Sequence, residues 1–144
     1  MNETVQLLQD LARNARTGQD AVEHLMQKAE DVRMWDELDR EKQDYAVTRR
    51  ESEQALTNAG GRAEPVGAMA RAGMWAGLEM ETLTNHTSAH IAEIVIQGAT
   101  MGVIEMTKAL NSYLGADAGA RDLATRFVAQ QNETIDRQMG FLRN

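Results

Sequence analysis

Imidazole and carboxylate groups are the only strong metal ligands this sequence offers, because its 144 residues include no cysteine and three histidines, His24, His86 and His90. Thiol catalysis, disulfides and thiolate metal sites are excluded on that ground, so zinc or iron would have to be held by His, Asp, Glu or amide groups. The best ligand set is Glu23, Glu41 or its neighbour Glu37, His90 and Glu93. Hard carboxylates joined by an imidazole suit iron or manganese. His90 and Glu93 stand three residues apart, which places both on one side of a helix. Glu23 and Glu41 fall at a similar height, near one end, if three helical segments run alongside one another.

The same residues have a plainer reading. His90, Glu93, Gln97, Thr100 and Asn111 lie on one stripe of a helix, and a polar stripe ordinarily faces solvent. The three-to-four spacing from Leu38 to Tyr45 turns either Glu41 or Lys42 toward the interior. A buried carboxylate needs a metal, an amide or another partner, and a slight helix rotation to the surface is the ordinary outcome. Gln19, Gln97, Gln130 and Gln131 fall at or near mid-height of the helices described next. A neutral amide is a poor ligand for iron or manganese but donates and accepts at once, so a polar, metal-free remnant is the preferred reading there.

Other chemistry finds little support. No G-x-S-x-G occurs, and "NAGGRAEPVG" lacks the lysine and the following helix of a phosphate-binding loop. Fifteen Lys and Arg against 22 Asp and Glu give a formal charge of -7, with no basic block, so neither nucleic acid nor an anionic membrane is an expected partner. The apolar stretch "HIAEIVIQGATMGVIEM" is interrupted by Glu93, Gln97 and Glu105 and is too short to be a membrane span. "MNETVQLLQDLARN" lacks the basic and apolar regions of a secretion signal, so a cytoplasmic location is expected.

These candidate groups must be positioned by helices. One proline, no alternating β-branched runs and abundant Ala, Leu, Met, Gln and Glu predict an all-α fold in a single domain spanning 1–144. A chain of this length buries roughly two thirds of its unfolded surface in one core. Segment A, about 3–30, repeats Val5, Leu8, Ala12, Ala15, Val22 and Leu25 at helical spacing. Segment B, about 34–59, carries Trp35, Leu38, Tyr45, Ser52, Ala55 and Leu56 on one side, and Gly60 and Gly61 suit its C-cap. Residues 67–83, "GAMARAGMWAGLEMETL", predict a crossover helix of ~25 Å at 1.5 Å per residue. Thr87 or Ser88 caps segment C, about 88–114, and "GADAGA" leads into segment D, about 121–142, with Leu123, Phe127, Ile135, Phe141 and Leu142 as its apolar contributions. Short A–B and C–D turns force two antiparallel pairs. A crossover as long as the bundle makes B and C parallel, the arrangement of ferritin-like bundles.

Segment C has a narrow polar stripe, while Ile91, Ile94, Val95, Ile96, Met101, Val103, Ile104 and Met106 cover the rest of its circumference. Such a helix must be covered on two sides, by the core and by either the crossover or a second subunit. The mid-helix Gly18 and Gly98, the "GAMARAGMWAGLEM" crossover and "HIAEIVIQGATMGVIEMTKAL" resemble a family of small bacterial ferritin-like proteins of unknown function. The resemblance covers nearly the whole chain and implies a ferritin-like four-helix bundle with a helical B–C crossover. Members of that family carry an acid just after each mid-helix glycine, where this chain has Gln19 and Ala99. The Glu-x-x-His of di-iron bundles is absent, and His90 and Glu93 stand in reversed order.

The expected function is therefore non-catalytic. The chain reads as an oligomerising or stress-associated bundle with a degenerate metal site, no cofactor, and homo-oligomer contacts through segment C or the crossover. The alternative is a di-iron or di-manganese type bundle built on Glu23, Glu41, His90 and Glu93. A third reading, a small-molecule carrier with a methionine-lined pocket between crossover and bundle, rests on side-chain character alone.

Overall fold

The computed structural model describes residues 2–64, 77–78 and 85–143. Among them are four long helices and no strand: α1 (Glu3–Met26), α2 (Val32–Asn58), α3 (Ser88–Ser112) and α4 (Ala118–Met139). A short side-chain oxygen starts each one by capping N–H groups that have no helical acceptor. Asn2 accepts from Thr4 and Val5, Asp31 from Arg33, Thr87 from His90 and Asp117 from Ala120. Asp117 explains why α4 begins three residues earlier than its apolar pattern suggests. α2 ends in a Schellman turn, with Gly60 at φ 82° and the Gly61 N–H reaching back to the Leu56 carbonyl at 2.8 Å.

Contacts at the two ends fix the directions of the helices. At one end Gly61 packs on Val5, the Glu3 carboxylate accepts from the Gly115 N–H, and Thr4 Oγ1 accepts from Asp117 N at 2.9 Å. At the other, His86 stands 3.5 Å from Glu30, and Asp31, Ser88 and Arg137 line one depression. The α1–α2 and α3–α4 pairs are thus antiparallel. α2 finishes at one end while α3 starts at the opposite end, so those two helices run parallel. The predicted crossover helix, 67–83, lies outside the described residues except for Gly77 and Leu78, which are helical; Leu78 is partly buried against the core.

Leu7, Leu8, Leu11 and Leu25 of α1, Met34, Leu38 and Leu56 of α2, and Ile91 and Met106 of α3 form the apolar core, each under 2 % exposed. Each contributes about 1.5–3 kcal/mol by leaving water. Trp35 departs from its expected inward position and is 42 % exposed, because Met34 carries the inward stripe of α2 back to its first turn. Leu142 is also exposed, at 40 %. The inward stripe of α4 instead reads Phe127, Gln131, Thr134, Gln138. On α3 the predicted polar stripe faces solvent at Glu93, Gln97, Thr100 and Asn111, while Met101 and Ile104 are exposed apolar residues. No helix among the described residues is long and apolar enough to cross a membrane.

Candidate functional site

The unusual chemistry lies where α2 faces α4. On α2, Leu38, Glu41, Tyr45, Thr48 and Ser52 follow one another at spacings of three and four, so a single face carries them all inward. The facing stripe of α4 supplies Gln131, Thr134 and Gln138. Two helices thereby meet through buried polar groups that must satisfy one another, since an unpaired buried polar atom costs about 1–3 kcal/mol.

Near the end occupied by the α1–α2 turn, Glu41 is 1 % exposed and Gln138 fully buried, and Gln138 Nε2 donates to Glu41 Oε2 at 2.6 Å. One helical turn toward that end, Arg137 Nε donates to Glu37 Oε1 at 2.9 Å, and Arg137 also reaches Thr134 Oγ1 at 3.4 Å. Burial pushes the Glu41 carboxyl up to about 9, and the adjacent Glu37 carboxylate pushes it the same way, against the opposing effects of Gln138 and Arg137. Glu41 is therefore protonated at neutral pH. Glu37 Oε2 and Glu41 Oε1 are buried with no nitrogen donor, and hydrogen bonding between the two carboxyls is one of the influences that raise Glu41. Gln138 Oε1 is left as a buried acceptor without a partner.

At mid-height the seam becomes neutral. The Tyr45 hydroxyl donates to Gln131 Oε1 at 3.0 Å, and Thr48 Oγ1 meets Gln130 Oε1 at 3.4 Å. Burial pushes the Tyr45 phenol up to about 12, so it stays protonated. Of the four mid-level amides, Gln130 and Gln131 enter this network; Gln97 is exposed on α3, and Gln19, half-buried on α1, donates to Glu23.

The predicted ligand set is dispersed. Glu41 is in the seam rather than rotated to the surface, because any rotation that exposed it would carry Leu38 and Tyr45 into water with it. Glu23 is exposed and accepts from Gln19 Nε2 at 3.2 Å. His90 and Glu93 do come together on α3, with Nδ1 and Oε2 3.6 Å apart, His90 half-buried and Glu93 exposed. Among the described residues, no three His, Asp or Glu side chains are grouped so as to hold a metal ion. Arg137 and Gln138 were not singled out from the sequence, although the step from Phe127 through Gln131 and Thr134 to Gln138 continues a helical stripe. A stripe of apolar residues is the usual signal, and here it turns polar after Ala120, Ala124 and Phe127.

The seam can hold a proton between two carboxyls, keep a cation beside them and exclude water. One oxygen of each carboxyl faces a protein donor: Gln138 takes one of Glu41 and Arg137 one of Glu37. No protein-family model matches the chain, and no curated protein or solved structure is significantly similar to it.

Proposed function

We propose that this chain is a non-catalytic, ferritin-like bundle of the cytoplasm that acts by self-association and whose metal-binding level has been replaced by protein groups. The observation carrying the reading is the Glu37–Glu41–Arg137–Gln138 seam. There a guanidinium and a shared proton supply the positive charge that metal ions supply in di-iron bundles, and an amide stands where a further ligand would be needed. The parallel course of α2 and α3 supports the ferritin-like part. Met101 and Ile104, 55 % and 43 % exposed on α3, support self-association through that helix.

Two measurements test the reading. Protein expressed with iron, manganese and zinc supplied and purified without chelators should contain no stoichiometric metal. One or two metal ions per chain, lost in His90→Ala, would establish the metallo-bundle alternative instead. Sedimentation at micromolar concentration should show an oligomer that Ile104→Lys dissociates; a monomeric parent chain removes the self-association.

A further inference from the structure

Each helix of the bundle packs most extensively against its hairpin partner, α1 against α2 and α3 against α4. Short turns, 27–31 and 113–117, tie each pair together. The α2–α4 seam lies between the pairs, so it can part with both of them intact.

That seam holds one carboxyl more than its cation can match. Glu37 and Glu41 stand one helical turn apart on α2, and Arg137 Nε is already engaged by Glu37 at 2.9 Å. Gln138 donates to one oxygen of Glu41, while Glu41 Oε1, Glu37 Oε2 and Gln138 Oε1 are buried acceptors. With Glu41 protonated the site carries one carboxylate, one guanidinium and a neutral acid. With Glu41 ionised it would carry two carboxylates against one guanidinium, shielded from solvent. The neighbouring groups do not supply a second cation among the described residues. Asp44, whose carboxyl burial pushes up, and Glu133 are acids, and Arg40 is exposed and acts on Asp44. From α1 and α3 the buried residues at this end include Val22, Leu25 and Ile91. The histidines there, His24 and His90, are half-buried, and His90 stands 3.6 Å from Glu93.

We infer that Glu41 is the latch of a pH-operated opening, in which its ionisation parts α4 from α2 along the seam while the α1–α2 and α3–α4 pairs stay packed. Parting lets water solvate both carboxylates, which relieves the burial of the second charge. It also breaks the Tyr45–Gln131 and Thr48–Gln130 contacts that close the same seam at mid-height. Burial and the adjacent Glu37 raise the Glu41 carboxyl to about 9, so the seam is closed at neutral pH and opens in the alkaline range. Tyr45, pushed up to about 12 by burial, stays protonated across that range. The inference depends neither on self-association nor on metal content.

Two rings report on both sides of the seam. Tyr45 of α2 lies against Gly18 of α1 and, with ring centroids 6.3 Å apart, near Phe127 of α4, which faces Gly102 of α3. The test is an NMR titration of the full chain from about pH 6 to 10, following the Glu41 carboxyl carbon and the proton–proton contacts of these rings. The Tyr45–Phe127 contact is expected to disappear with the midpoint of the Glu41 carboxyl, while the Tyr45–Gly18 and Phe127–Gly102 contacts persist. Glu41→Gln, which has no proton to lose, should keep all three contacts throughout. Should that variant not fold, the coincidence of the two midpoints in the parent chain decides. Ionisation of Glu41 with every contact retained overturns the latch, and so does loss of all three contacts together. A carboxyl still protonated at the alkaline limit, or an unchanged transition in Glu41→Gln, overturns it equally.

Discussion

Between α2 and α4 the buried positions include Glu41, Thr48, Ser52, Gln131, Thr134 and Gln138, whereas those of α1 read Leu7, Leu8, Leu11, Ala15, Val22 and Leu25. Both sets recur at the spacing of one helix face. On the α1 side these apolar residues have no donors or acceptors to match atom for atom, and small side chains are accommodated. In the α2–α4 seam every oxygen needs a donor, and side chains from two helices must arrive in register. Apolar burial is tolerant of geometry and supplies most of the stability, whereas polar burial is intolerant and fixes which face of α4 meets which face of α2.

The contrast can be broken most severely at Gly18, where the two regions touch. An alanine there would place its methyl in the Tyr45 ring and push the phenol off Gln131. A loss of about 3 kcal/mol is expected from overpacking plus the broken hydrogen bond, read from the urea midpoint. A change below about 0.5 kcal/mol would show that Tyr45 moves freely and that the seam does not specify register.

Arg137→Met tests the seam by itself. It leaves Glu37, whose side chain is 10 % exposed, without its cation and should cost about 2 kcal/mol at pH 7. The same variant should raise Glu41 further, because the guanidinium is one of the influences holding that carboxyl down. Stability equal to the parent would mean that water, not Arg137, solvates Glu37.

The smallest effect is expected for Glu41→Gln at about pH 4.5, where the glutamine resembles the protonated glutamate in shape and in donating capacity. Its signature is pH dependence. A carboxyl raised to about 9 in the fold binds a proton that the unfolded chain releases above its ordinary value near 4.5. Between those values the folded state holds more protons, so the parent loses stability as pH rises, by at most about 1.4 kcal/mol per pH unit, and the loss levels off above about 9. Denaturation midpoints from pH 5 to 9 should fall steeply for the parent and much less for the glutamine variant. Parallel curves would show that Glu41 is ionised in the fold.

Much of the helical skeleton was legible before any coordinates. Caps at Thr87 and a glycine turn at Gly60, the inward Val5–Leu25 series of α1 and the solvated stripe of α3 all follow from local chemistry and helical period, which act within one or two turns. α4 was only half legible. Leu123 and Phe127 pointed to a face, but Ile135 is half-buried and Leu142 exposed while Gln131, Thr134 and Gln138 go inside. An amide written in sequence has the same letter whether it meets water or a buried carboxyl, so polarity misdirects a reader wherever the partner is on another helix.

The candidate site shows the same division. Glu41 was recognisable as a group with an inward tendency, because Leu38 and Tyr45 on the same face constrain it. That its partner across the helices is Gln138, rather than His90 or Glu93, was set by which helices are neighbours: α2 packs against α4, while His90 and Glu93 pair with each other on α3. The sequence alone determined an acidic, cysteine-free chain with four capped amphipathic helices, since charge, capping and periodicity are local properties. Only the tertiary structure decided that an arginine and an amide lie at the buried carboxyls of Glu37 and Glu41, and that the Tyr45 ring fills the space beside Gly18. Those outcomes depend on distances between side chains far apart in the chain, which no local pattern encodes.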